Sequence, residues 1–171
     1  LDGYRVLGIV DGDSVQLFSR RGLDCSSEYP WLVQELKAQP YRNIIVDGEI
    51  VALDENGRPS FQLMQNRQQE PRPFLLYYAF DVLFRDGYDL RGVKLEQRKD
   101  LLERSIMPTD RLRIVQTFPE HGEALFDAVR KTGLEGIVGK RRDSISSSFQ
   151  LHVREPKEVI SPRLVLGRVL Q

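Results

Sequence analysis

A single cysteine, Cys25, leaves this 171-residue sequence without an internal disulfide, and no CxxC pair or Cys/His cluster offers a zinc site. A reducing cytoplasm is the expected setting. Histidine is scarce too: His121 and His152 have no partner at ligand spacing and are expected to be structural or surface residues. No apolar run reaches the ~18 residues of a membrane span, and the start lacks a charged-then-apolar leader. Neither membrane insertion nor secretion is expected. An excess of one charge is also missing, since Lys plus Arg and Asp plus Glu both number 25. The chain therefore has no bulk attraction for a polyanion, and any nucleic-acid contact must come from a local patch. What the sequence does hold is 40% hydrophobic residues, enough over this length for one domain to bury a core.

The apolar spacing gives a coarse order of elements. Val6 to Phe18 places apolar residues on both sides of Asp11-Gly12-Asp13, which predicts a β-hairpin. Pro30 followed by Trp31, Leu32, Val33 and Leu36 predicts a short amphipathic helix over Tyr29 to Leu36. Asn43 to Leu53 is rich in Ile and Val and stops at Asp54-Glu55-Asn56-Gly57, a strand then a turn, with Asp47-Gly48-Glu49 inside it. Pro59 to Gln68 is expected to be helix or loop, Pro71-Arg72-Pro73 a break, and Phe74 to Phe84 a buried strand carrying Asp81. Helices are predicted over Leu95 to Arg104 and Glu120 to Thr132, and a strand over Gly133 to Lys140. Ser144 to Ser148 is a polar loop, and Leu151 to Gln171 gives weak strand signals. Hairpins and helices in irregular alternation indicate an α+β domain without repeats.

Four segments concentrate acids and bases: Asp2-Gly3-Tyr4-Arg5, Asp47-Gly48-Glu49, Phe80-Asp81 after Tyr77-Tyr78-Ala79, and Glu135-Gly136-Ile137-Val138-Gly139-Lys140. Taken singly, each has a plainer reading. An Asp-Gly pair is a turn signal, Arg5 a surface charge, Phe80 a core residue in an aromatic run, and Lys140-Arg141-Arg142 a solvated patch. Together they deliver charged groups to strand ends from four separated parts of one chain, as a polyphosphate and metal site requires.

In this order and with these flanks, the segments resemble motifs I, III, IIIa and IV of the covalent nucleotidyltransferases, the superfamily of ATP-dependent DNA ligases, RNA ligases and capping enzymes. Ser19-Arg20-Arg21-Gly22, Gly57-Arg58-Pro59-Ser60-Phe61-Gln62, Phe80-Asp81-Val82-Leu83 and Gly133 to Lys140 look specifically like the bacterial end-joining DNA ligases. The resemblance implies an ATP-grasp-like domain of antiparallel sheets packed with helices. It also implies a lysine immediately before Leu1, since motif I is Lys-x-Asp-Gly-x-Arg, so the start is expected to be a cut edge. That lysine would take AMP from ATP and the enzyme would pass it to the 5′-phosphate of nicked DNA. By the same resemblance Asp2 and Glu49 would hold Mg²⁺ or Mn²⁺, Glu135 would support a second metal or the nucleotide, and Arg5 would hold the ribose. Phe80 would stack on adenine, Lys140 would meet the nucleotide, and Arg20 would hold the 5′-phosphate of the nick.

The resemblance covers residues 1–148, expected to form the adenylation domain, with 149–171 as the remainder of the same domain. Motif V, Lys-x-Lys in the family, has only Leu151-His152-Val153-Arg154 as an echo: the motif has diverged, or residues are missing around Ser148, or the tail takes another path. Too few residues follow motif IV to build an OB-fold domain, so none is expected within 149–171. The expected partners are nicked or broken duplex DNA, further ligase domains and end-joining repair proteins, in a bacterial cytoplasm at the nucleoid, in DNA repair and recombination. An RNA ligase or capping-type enzyme and an inactive nucleotide-binding scaffold remain open alternatives.

Overall fold

The computed structural model describes residues 3–69, 71–117 and 136–146 and the strands at 151–153 and 164–170; for 136–139 and the last two strands only the backbone is described. The predicted helix over Glu120 to Thr132 lies outside the described residues. So do Leu1, Asp2 and Glu135.

The hairpin forms as β1 (Tyr4–Asp11) and β2 (Ser14–Ser19). Next come a 3-10 turn (Ser26–Glu28) and α1 (Pro30–Lys37), with Pro30 at the helix start, where its missing N–H costs nothing, and Leu32 and Leu36 buried one turn apart. The strand β3 (Asn43–Leu53) and the short helix α2 (Phe61–Gln65) follow, the latter capped by the Ser60 side chain. Further along lie β4 (Phe74–Arg85), β5 (Tyr88–Asp89), α3 (Leu95–Ser105) and β6 (Leu112–Ile114). The last strands are β7 (Gly136–Arg141), β8 (Leu151–Val153) and β9 (Leu164–Leu170).

The first sheet runs β2-β1-β3-β4-β5 with all neighbours antiparallel, and β6 joins β4 in parallel. The α+β class holds, with one departure from the antiparallel expectation: β6 makes the sheet mixed. A second sheet runs β8-β7-β9, so the C-terminal strand pairs with β7 along Gly136 to Arg141. The main core lies on one face of the first sheet, where Val6, Val10, Val46, Ile50, Ala79 and Val82 meet Leu32 and Leu36 of α1. Cys25 belongs to this core, and burial pushes its thiol pKa up. No described helix is long and apolar enough to cross a membrane.

Strand register fixes what the site can contain. Across β1, β3 and β4 the row Val6, Gly48, Ala79 faces the core, and the rows Arg5, Glu49, Tyr78 and Leu7, Asp47, Asp81 flank it on the opposite face. Gly48 cannot carry a side chain: a Cβ there would lie 2.3 Å from Cζ of Tyr77, 2.6 Å from its hydroxyl oxygen and 2.6 Å from the Tyr78 carbonyl. The Tyr77 ring occupies that space, and its hydroxyl reaches the carbonyls of Val6 at 3.0 Å and Val46 at 3.3 Å. The glycine between two acids is therefore a packing requirement inside a strand. It makes no turn.

Candidate functional site

A β-bulge organises the site. From Glu49 back to Asp47, β3 takes two steps, but from Tyr78 to Asp81, β4 takes three, and the extra residue is Phe80. Its neighbours Ala79 and Val82 belong to the main apolar cluster; Phe80 is buried at 5% exposure yet stands outside it. The bulge shifts the alternation so that consecutive residues, Phe80 and Asp81, both leave the core face.

Around Phe80 the neighbours are charged. The Arg5 guanidinium lies 5.8 Å from the ring centroid and the Lys140 ammonium, delivered by β7, lies 4.9 Å from it. Arg5 is fixed by Asp47, donating from Nε to Oδ1 at 3.0 Å and from Nη2 to Oδ2 at 2.5 Å. The Asp47 hydrogen bonds raise the Arg5 pKa, with the charges of Asp47, Asp81 and Glu49 adding to the effect and burial opposing it. Beside this pair, Glu49 is 4% exposed and its Oε1 accepts the Gly3 N–H at 2.8 Å. A Cβ on Gly3 would lie 2.1 Å from the Ile50 carbonyl, so the residue after Asp2 is also confined to glycine by close approach. The described part of motif I is thereby tied to motif III by main chain as well as side chain.

Two cations that the sequence did not single out complete the arrangement. Arg98 of α3, 2% exposed, holds Asp81 with two parallel hydrogen bonds at 2.8 and 2.9 Å and also donates to the Val93 carbonyl. Lys99, beside it, is 7% exposed. Leu95, Arg98, Lys99 and Leu102 share the buried face of α3, a spacing that could have drawn attention to both cations. Burial pushes the Lys99 ammonium down to about 8 from 10.5, Lys140 and Arg98 lower it further, and Asp81 and Glu103 act against the shift. The unfolded chain holds that proton more tightly, so the cost to stability is present in full below pH 8 and fades as pH rises from about 8 to 10.5. We expect Lys99→Met to be more stable than the parent by about 1–3 kcal/mol at pH 7, with the gap shrinking towards pH 10. Urea unfolding at the two pH values checks this; a gap that ignores pH would contradict it.

Of the residues the sequence nominated, Arg5, Glu49, Phe80 and Lys140 are brought to one face. Arg20 is exposed in the turn after β2 and lines, with Gly3, Arg5 and Arg21, a cleft of about 470 Å³ next to that face. Asp2 and Glu135 lie outside the described residues, and among the described residues no three Asp, Glu, His or Cys side chains converge as a cation site. The basic run after motif IV divides: Lys140 approaches Phe80, Arg141 pairs with Asp143 at 2.9 Å and Arg142 with Glu96 at 3.1 Å. The site so assembled places a nearly buried aromatic ring beside two cations, a combination that suits a planar base bearing phosphates.

Residues 1–156 match the family model of the ATP dependent DNA ligase domain. The chain belongs to that family. The multifunctional non-homologous end joining DNA repair protein LigD of Mycobacterium tuberculosis is 41% identical over 143 residues, covering 84% of this chain and 18% of that protein. LigD of Pseudomonas aeruginosa is 40% identical over 147 residues, with the same shares. Among solved structures, the mycobacterial DNA ligase D complexed with ATP and MES superposes with a TM-score of 0.70 at 38% identity, covering 84% of this chain and 47% of that one. The α+β ligase-domain fold is thus shared, while the chain spans under a fifth of the length of these LigD relatives.

Proposed function

We propose that this chain is the adenylating domain of an ATP-dependent DNA ligase of the bacterial end-joining kind. It would receive AMP from ATP on a lysine preceding Leu1 and pass it to the 5′-phosphate of a nick or break in duplex DNA. The observation that carries the reading is the bulge at Phe80, which turns one ring of an apolar strand away from the main core and sets it beside Arg5 and Lys140. Membership of the ligase domain family and likeness to a relative solved with ATP point the same way.

In this reading adenine stacks on Phe80, Arg5 holds the ribose in the pose set by Asp47, and Lys140 faces the nucleotide. Arg20, in the neighbouring cleft, holds the 5′-phosphate of the acceptor. Glu49, a hard oxygen donor one hydrogen bond from Gly3, fits a Mg²⁺ or Mn²⁺ ion that Asp2 and Glu135 would share. The ion, when bound, supplies neutralising charge at the phosphates. Residues 1–148 would carry the adenylating unit and 149–171 its remainder, as the pairing of β9 with β7 supports. DNA, an OB-fold ligase domain and end-joining repair proteins would be the partners, in a bacterial cytoplasm at the nucleoid.

The test is intact mass of the full-length protein. Incubation with ATP and Mg²⁺ should add one AMP to the lysine before Leu1, pyrophosphate should remove it, and GTP should add nothing. A residue other than lysine at that position, or no mass gain, ends the covalent reading; gain from GTP favours a capping enzyme.

A further inference from the structure

Beyond the cleft that holds Arg20 lies a larger groove of about 840 Å³, for which the adenylation reading has no use. The two share a wall made of Glu28, Tyr29 and Arg67. Across the groove, Arg111 stacks against two rings, 5.6 Å from the centroid of Trp31 and 5.0 Å from that of Phe74. On the shared wall Arg67 stacks on Tyr4 at 4.9 Å and Tyr29 at 5.7 Å and pairs with Glu28 at 2.8 Å. Arg72 and Phe74 are exposed, the latter at 44%, an unusual display for a phenylalanine beginning a central strand. The buried Trp31 indole N–H has no hydrogen-bond partner among the described residues.

The charge is local. In a chain with no net charge, the described residues lining this groove include Arg67, Arg72 and Arg111, with Glu28 paired to Arg67. The Arg111 guanidinium, close to the rings of Trp31 and Phe74, offers donors for phosphate oxygens, and the exposed Phe74 ring beside it offers a face to an unpaired base. Duplex DNA, with its bases stacked inside, could use the arginines but not the rings. We propose that the groove binds a single-stranded stretch of DNA at a broken end, continuing the path that begins at Arg20. The inference rests on the ligase reading for its substrate class and adds to it a specific preference for unpaired strand.

The test uses the full-length protein, fluorescent oligo-dT, a sealed-end nicked duplex and lysyl-AMP formation side by side. Phe74→Ala combined with Arg111→Ala should weaken oligo-dT binding by about ten-fold or more, as loss of one stacked base and one phosphate contact requires. Nicked-duplex binding should fall several-fold less than oligo-dT binding, melting temperature and adenylation should stay near the parent values, and Phe74→Trp with Arg111 intact should retain oligo-dT binding. Unchanged oligo-dT affinity in the double variant overturns the groove while leaving the ligase reading intact. Equal loss for the nicked duplex, or poly-glutamate competing as well as oligo-dT at matched charge, overturns it too, because charge without stacking would then account for the binding. Failure of the parent protein to adenylate would instead strike the ligase reading.

Discussion

Arg98→Met should destabilise the protein by about 3–5 kcal/mol, because it strands the Asp81 carboxylate in a site that was closed around an ion pair. Both partners are almost wholly buried, Arg98 at 2% and Asp81 at 6%, and the two hydrogen bonds are parallel and short. Taking a guanidinium and a carboxylate out of water is costly, so the pair itself need not add net stability; the penalty comes from removing only one charge. Asp81→Leu combined with Arg98→Met should accordingly recover much of the loss. Urea unfolding of the two variants decides the matter, and a loss under about 1 kcal/mol for Arg98→Met would show that water reaches the stranded acid. The double variant should still adenylate poorly, since α3 would no longer steady the bulge that carries Phe80.

The second large effect separates charge from hydrogen bonding at Glu49. Glu49→Ala removes the acceptor of the Gly3 N–H and should cost about 1–2 kcal/mol of stability. Glu49→Gln keeps an acceptor oxygen there and should fold nearly as well as the parent. Both should form lysyl-AMP at a rate about 100-fold to 1000-fold lower, the size expected when one charged group that organises phosphate chemistry is neutralised. Single-turnover adenylation at saturating ATP and ordinary Mg²⁺ is the measurement. Parent-like rates in Glu49→Gln would reduce Glu49 to a clip for the Gly3 main chain.

Much of this fold was legible where periodicity was strong. The strand over Asn43 to Leu53 ends where expected, and the long apolar run from Phe74 and the helix from Leu95 each extend only one residue beyond expectation. β1 begins earlier than its apolar pattern, at Tyr4, because Tyr4 and Arg5 are drawn into the sheet by Ile50 and Glu49. β5 and β6, of two and three residues, carry no period of their own, and β6 exists because β4 offers it an edge. In the site, Arg5, Glu49, Phe80 and Lys140 were nominated by motif and meet at one face. Arg98 and Lys99 were passed over because cations among strong helix formers ordinarily face water, and their burial depends on an acid seventeen residues earlier for Arg98 and on tight packing for Lys99. Whether Phe80 faced the core could not be read either: strict alternation assigns it to a face, and a bulge, which leaves no mark in composition, changes the phase.

The interlock of Gly48 with Tyr77 bears on how such a domain can change over time. The ring fills the space a side chain at 48 would need, and its hydroxyl ties the carbonyls of two neighbouring strands. Neither position can drift alone: a larger residue at 48 collides with the ring, and a smaller one at 77 opens a void and gives up the hydroxyl's hydrogen bonds to both carbonyls. Descent through either single change passes by way of a damaged intermediate, so the acids at 47 and 49 inherit their spacing from a steric lock that has no chemical role of its own.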